Sequence, residues 1–193
     1  MFTNLAPGTR GLLLACIAGF LAQQLAGDTF TVWFALWPLG PLFHPWQLAS
    51  YAFLHDGLAH IAFNMFGLVT FGNALERYWG TRRFLVFYFA SLIAAGMAQL
   101  IVTRAALDYV PTVGASGGIY GLLLGFAMMF PQRRVMLLFP PIPMPAWVLA
   151  LGFAVLELYL GVTGTQSGIA HFAHLGGMVG GFLVLQWGRG IRR

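Results

Sequence analysis

The chain has 193 residues, of which 59% are hydrophobic and 8% are charged, whereas a soluble domain carries about a quarter charged residues. This composition excludes a water-soluble globular fold and indicates a chain folded in lipid. The ten basic residues, all arginine, give a net charge of +5. Their positions follow the membrane topology, so nucleic acid is not an expected partner. The single cysteine, Cys16, excludes an intramolecular disulfide and a cysteine-based metal site.

Six apolar stretches follow one another along the chain, each close to the ~20 residues that cross a hydrocarbon core. Their approximate bounds are Gly11–Gly27, His55–Gly72, Phe84–Thr103, Val113–Phe130, Pro145–Gly161 and Ile169–Trp187. The connection Asp28–Leu54 lacks basic residues and is rich in aromatic ones, so it is predicted to lie in the membrane interface. The proline-rich segment 140–145 is predicted to be a rigid, non-helical linker. We expect residues 1–193 to form a single membrane domain.

The arginines are divided unequally between the two sides of this domain. Nine lie before the first stretch, after the last, or in the connections 73–83 and 131–144, and only Arg104 lies elsewhere. Because positive charge concentrates on the cytoplasmic side of short loops, both termini are predicted to be cytoplasmic. The second, fourth and sixth helices then begin on the outer side. The first stretch is expected to be retained rather than cleaved as a signal peptide, and the expected location is a prokaryotic inner membrane.

Polar residues cluster in these three outward-starting helices. They are His60 and Asn64 in the second helix, Ser116 and Tyr120 in the fourth, and His171 and His174 in the sixth. Spacings of three and four put each pair on one helix face, and a rise of about 1.5 Å per residue predicts a common depth of roughly 6–8 Å. Each residue alone fits an ordinary structural role. Together, a hydroxyl, imidazoles and an amide supply a nucleophile, a base and oxyanion donors.

Glycines lie beside the serine and the last histidine. Those predicted to form a close helix contact are Gly117, Gly121, Gly177 and Gly181. Small residues four apart let two helix backbones approach closely. This spacing predicts a hydrogen bond between Ser116 and His174.

Three motifs in this chain resemble those of the rhomboid family of intramembrane serine proteases. They are Gly114-Ala115-Ser116-Gly117, Ala173-His174-Leu175-Gly176-Gly177 with Gly181 beyond, and His60-Ile61-Ala62-Phe63-Asn64. Their positions on the second, fourth and sixth of six spans match the compact form of the family. The resemblance implies an all-α fold, a rhomboid-like bundle of six transmembrane helices.

The resemblance also implies a role for each polar residue. Ser116 is the expected nucleophile and His174 the general base, which together form a catalytic dyad. His60, Asn64 and the Ser116 backbone N–H are expected to form the oxyanion hole, with Tyr120 stacked on the His174 ring. Expected substrates are single-span membrane proteins, cut near their outer ends. Neither a metal nor an organic cofactor is implied.

Some residues depart from the family pattern or are not assigned a role by it. Gln47 follows Trp46 where the family often has arginine, which puts the packing of the first loop in question. Glu76, between Gly72 and Gly80, fits a structural pattern of the family. No third member of a catalytic triad is identified from the sequence.

Two residues near the motifs, and two other functions, stay open at this point. His171 does not match the base position and is interpreted as a neighbour, and Glu157 is interpreted as a snorkelling or interhelically paired acid. A six-helix transporter with Glu157 and the histidines as relay groups would require Glu157 and not Ser116. A catalytically inactive relative that binds membrane segments is the other alternative, although both nucleophile and base are present.

Overall fold

The computed structural model describes residues 4–107, 109–137, 141–164 and 170–190 and shows a mostly helical chain, as predicted. The helices are α1 (Pro7–Ala26), α2 (Asp28–Phe34), α3 (Gln47–Ser50), α4 (Leu58–Trp79), α5 (Thr81–Ala106), α6 (Ser116–Met129), α7 (Ala146–Thr163) and α8 (His171–Gly190). A 3-10 turn, Tyr51–Phe53, follows α3, and a π-helical turn, Leu68–Gly72, lies within α4. In the described part of the chain, α1, α4, α5 and α7 are long and apolar enough to cross a membrane. The apolar helix α6 is shorter, with 14 residues.

The helices that carry the polar pairs begin later than predicted. The second and fourth predicted stretches start at His55 and Val113, whereas α4 starts at Leu58 and α6 at Ser116; the predicted start of the sixth, Ile169, lies outside the described residues. Each of these two helices is preceded by a glycine with positive φ, Gly57 (φ 97°) and Gly114 (φ 120°). Hydropathy cannot detect the delay, because it does not record backbone conformation.

The later helix starts bring the polar residues closer to their helix ends than the sequence spacing predicts. Ser116 is the first residue of α6, His60 lies in the first turn of α4, and His174 lies in the first turn of α8. These three residues therefore lie in the first turns of their helices, where backbone N–H groups lack intrahelical partners.

The proline-rich linker is a strand over part of its length. Its residues Pro143–Pro145 form β2, which pairs antiparallel with β1, Arg134–Met136. Pro140 lies outside the described residues. Prolines lack the N–H that a ladder requires, so a two-stranded ribbon with an open edge suits them. The described part of the segment, residues 141–145, is non-helical, as predicted, and the strand pairing holds it in place.

The core of the bundle is formed by α5, α6 and α8, which make the most extensive helix contacts. Between α6 and α8 the contact is backbone to backbone, because a Cβ added to Gly177 would overlap the Gly117 carbonyl oxygen. Gly181 likewise faces Gly121, with the Gly121 Cα only 3.3 Å from an added Cβ. The four glycines predicted to mediate close packing thus meet one another in this contact.

Glu76, near the end of α4, holds the start of α1. Its carboxylate accepts hydrogen bonds from the backbone N–H groups of Gly8 and Thr9, each at 2.7 Å, and from the hydroxyls of Thr9 and Thr81. The carboxylate is buried, and its donors satisfy two of the N–H groups that the first turn of a helix leaves unpaired.

We predict that Gly177→Ala lowers the free energy of unfolding by about 2 kcal/mol or more, because the added methyl forces α8 away from the Gly117 carbonyl. Thermal unfolding in detergent, followed by circular dichroism, measures the change. Gly152→Ala on α7 is the matched control, since nothing lies within 4 Å of its added Cβ. It should leave the unfolding temperature unchanged or slightly raised, because alanine favours helix over glycine by roughly 1 kcal/mol. An equal loss in both variants would contradict the proposed backbone contact.

Candidate active site

Ser116 begins α6, and the segment before it is hydrogen-bonded to the first loop. Leu36 and Thr112 exchange backbone hydrogen bonds of 3.0 and 2.9 Å, and the Gly114 N–H donates to the Tyr51 carbonyl at 2.9 Å. The left-handed backbone of Gly114 turns the chain into the helix. The half-buried Ser116 therefore lies at a helix N-terminus, where the helix dipole favours nearby negative charge.

The close contact of α6 and α8 brings Ser116 and His174 together. Ser116 Oγ lies 2.8 Å from His174 Nε2, within hydrogen-bonding distance. Tyr120, one turn further along α6, stacks on the His174 ring with 4.2 Å between ring centroids and 5° between the planes. The stacked Tyr120 ring and the contact at Nε2 therefore fix the orientation of the imidazole relative to the serine.

Glu157 of α7 lies beside the same imidazole, although sequence analysis identified no third group there. Its Oε2 atom lies 2.6 Å from His171 Nδ1 and 3.0 Å from His174 Nδ1, and its Oε1 atom accepts a hydrogen bond from the Tyr120 hydroxyl. Of the two interpretations offered for Glu157, the interhelical pair matches the structure. One signal in the sequence could have pointed to it: an acid in an apolar span is costly unless it has partners on other helices.

Glu157, His171 and His174 are the described residues that could hold a metal ion together. One ligand atom from each lies within 4.8 Å of the others, and Glu157 and His171 are buried. The Glu157 Oε2 atom, however, already contacts both imidazoles directly. The group is therefore accounted for by carboxylate–imidazole interactions.

His60 and Asn64 lie on α4, close to the segment that precedes Ser116. The Asp56 N–H donates to His60 Nδ1 at 3.2 Å, which leaves the proton of a neutral ring on Nε2. A Cβ added to Gly114 would lie 2.7 Å from His60 Nε2 and 3.8 Å from Ser116 Oγ. The absence of a side chain at Gly114 thus leaves a small space between the two groups. The Asn64 side-chain amide donates one hydrogen bond to the His60 carbonyl at 2.9 Å, and its second N–H is not used in that bond.

His55, in the loop before α4, packs edge-on against His60 with 5.2 Å between ring centroids. Burial, with a smaller contribution from the nearby His60, lowers the pKa of His55 to about 4. His55 is therefore neutral near pH 7 and adds no positive charge beside His60.

Gln47 organises the first loop in the position where arginine is common in the family. Its amide is fully buried: Oε1 accepts from the backbone N–H groups of Trp37 and His44, and Nε2 donates to the Leu42 carbonyl at 2.9 Å. The loop is not a featureless interfacial connection, because it contains α2, α3 and the 3-10 turn. An uncharged amide thus bonds the loop to itself through both of its polar atoms.

In this bundle of apolar helices, a serine and two histidines in the first turns of their helices meet a carboxylate from α7. These features define an integral membrane protein with a serine–histidine site. The sequence assigns it further, because residues 42–189 match the rhomboid domain family. The chain therefore belongs to the rhomboid family.

Three bacterial relatives illustrate the similarity. The chain is 30% identical over 190 residues to the rhomboid protease GlpG of Serratia proteamaculans and 29% identical over 189 residues to that of Klebsiella pneumoniae, covering 94% and 92% of this chain. It is 32% identical over 140 residues, 71% of its length, to the rhomboid protease GluP of Bacillus subtilis. The matches span 62% of each GlpG protein and 25% of GluP.

Proposed function

We propose that this protein is an intramembrane serine endopeptidase in which Ser116 is the nucleophile and His174 the general base. The observation that carries the proposal is the 2.8 Å contact between Ser116 Oγ and His174 Nε2 in a rhomboid-family chain. The relatives named above are rhomboid proteases. A hydroxyl within hydrogen-bonding reach of an imidazole is the arrangement that nucleophilic acyl transfer requires.

In the proposed reaction, His174 Nε2 takes the hydroxyl proton as Ser116 Oγ attacks the carbonyl carbon of the scissile peptide bond. The tetrahedral intermediate collapses when the C–N bond breaks and the imidazolium gives its proton to the leaving amine. A water molecule, deprotonated by the same imidazole, then hydrolyses the acyl-enzyme and restores the serine. The half-buried position of Ser116 at a helix end supports access for that water.

The proposed oxyanion hole consists of His60, the Asn64 amide and the Ser116 backbone N–H. The hydrogen bond from the Asp56 N–H to His60 Nδ1 supports this role, because it leaves Nε2–H as the donor. The start of α6 adds unpaired backbone N–H groups and the positive end of its dipole. Donors fixed before the reaction stabilise the oxyanion without reorganisation.

We further propose that α6 and α8 complete six membrane spans in a single domain over residues 1–193, with both termini in the cytoplasm of a prokaryotic inner membrane. The distribution of arginines supports this topology: Arg77, near the end of α4, donates to the Asn4 carbonyl, and Arg133 follows α6. Both lie at helix ends opposite to those that carry His60 and Ser116. Ser116 then faces the outer side of the bilayer.

The proposed substrates are single-span membrane proteins, cut near the outer ends of their membrane segments. A nucleophile in the first turn of an outward-starting helix supports this choice, because it reaches a peptide bond at that depth. Helix-destabilising residues in a substrate would let its backbone extend into the site.

Labelling by a fluorophosphonate probe tests the nucleophile and the base without knowledge of the substrate. We expect the purified wild type in detergent to be labelled, and Ser116→Ala and His174→Ala to lose labelling by 100-fold or more, because the first lacks the nucleophile and the second its base. Cleavage of a single-span reporter in liposomes should be lost in parallel.

Ser50→Ala is the matched control, since this serine lies in the first loop and donates to the Phe34 carbonyl. It should label at the wild-type rate. Labelling that survives Ser116→Ala in a folded protein, or a wild type that neither labels nor cleaves, would reject the protease proposal and favour transport or binding.

We predict that Gly114→Ala lowers kcat about 100-fold, because its methyl would occupy the space before His60 Nε2 where the oxyanion is proposed to lie. Gly80→Ala is the control for backbone strain: its φ is 80°, but nothing lies within 4 Å of an added Cβ. Reporter cleavage by folded protein, checked by thermal unfolding, measures both. Wild-type kcat in folded Gly114→Ala would argue against an oxyanion hole at this position.

A further inference from the structure

Glu157 carries an acidic group in a place where charge is costly. The residue is 5% exposed and lies on α7, a helix apolar enough to span the membrane. An ionised carboxylate in such surroundings is tolerated only when partners replace its hydration. Here three groups surround it: the Tyr120 hydroxyl donates to Oε1, and the Nδ1 atoms of His171 and His174 lie 2.6 and 3.0 Å from Oε2.

The contact between Ser116 and His174 fixes where the proton of the His174 ring lies. To accept the hydroxyl proton, Nε2 must be unprotonated, so the neutral ring carries its proton on Nδ1. That Nδ1 lies 3.0 Å from Glu157 Oε2. The distance is that of an ion pair, although the geometry is not that of an aligned hydrogen bond. The interaction in the resting ring is therefore mainly electrostatic.

This electrostatic contact grows stronger during the proposed reaction. When the proton leaves Ser116 for Nε2, the His174 ring becomes a cation beside the carboxylate. An opposite charge within about 4–6 Å favours the charged form of a titratable group. The transition state, in which the ring is partly charged, therefore gains more from Glu157 than the ground state does.

We propose that Glu157 is a positioning residue for His174: its carboxylate keeps the ring proton on Nδ1 and stabilises the imidazolium that forms during acyl transfer. Tyr120 and His171 hold the carboxylate in place by donating to it. The proposal rests on the proposed protease function and extends its serine–histidine dyad by a third group. The competing explanation is that Glu157 only ties α7 to α6 and α8 as a structural pair.

The experiment compares Glu157→Gln, which keeps the shape and removes the charge, with Glu157→Asp, which keeps a shorter charged group. The readouts are the rate of fluorophosphonate labelling and the kcat and KM for a single-span reporter, both per folded protein. We expect Glu157→Gln to lower the labelling rate and kcat tenfold to 100-fold, with KM within about twofold. Glu157→Asp should recover part of the loss, because its charge remains on the same side of the ring.

Two controls separate this role from a structural one. Glu76→Gln makes the same change at the other buried glutamate, which bonds the start of α1, and should lower the unfolding temperature without lowering kcat. Tyr159→Phe removes a polar atom from an exposed residue of α7 and should change neither.

Labelling and kcat within twofold of wild type in folded Glu157→Gln would overturn the proposal. So would equal losses in the Gln and Asp variants that only follow their unfolding temperatures. If Glu157→Gln does not fold, Glu157→Asp decides the question, with about a threefold or greater loss expected and a wild-type rate overturning it. Ser116→Ala is measured in parallel. Labelling that survives in this variant would reject the protease proposal itself, separately from the role of Glu157.

Discussion

The contact between the α6 and α8 backbones is the constraint on which the arrangement of the site depends. Gly177 lies so close to the Gly117 carbonyl that no side chain fits between the two helices. The helix axes are thereby held at a distance at which a serine side chain on one reaches an imidazole on the other. In lipid, where apolar burial does not drive helices together, such close packing is a principal source of association.

The sequence predicts this contact but not every partner of the imidazole. Spacing alone puts Gly117 and Gly121 beside Ser116 on one helix, and Gly177 and Gly181 near the face of His174 on another, so each face can be identified from one helix at a time. The position of Glu157 depends on how α7 is rotated against two other helices, which no spacing within α7 determines. The helix starts were missed for a different reason. Hydropathy records how apolar a residue is, whereas the positive φ of Gly57 and Gly114 prevents α4 and α6 from starting earlier in the chain.

Two buried polar side chains, Gln47 and Glu76, each find their partners in one small part of the bundle. Gln47 uses its amide within the first loop, and Glu76 uses its carboxylate at the start of α1. Glu157 differs, because the groups around its carboxylate lie on two other helices, α6 and α8, and two of them, Tyr120 and His174, belong to the proposed site. A structural acid and an acid beside the reacting groups thus have the same residue type and similar burial, and they are distinguished by what their donors touch.

The tie between Glu76 and the start of α1 also bears on the order in which the chain assembles. Gly8 and Thr9 are made first, yet the carboxylate that accepts from their backbone N–H groups is 67 or 68 residues further along the chain. Until α4 has left the ribosome and inserted, those N–H groups must be solvated by water or lipid headgroups at the membrane surface. The first helix can therefore insert early but reaches its final position only after α4, so the docking of α1 waits for the second apolar span of the chain.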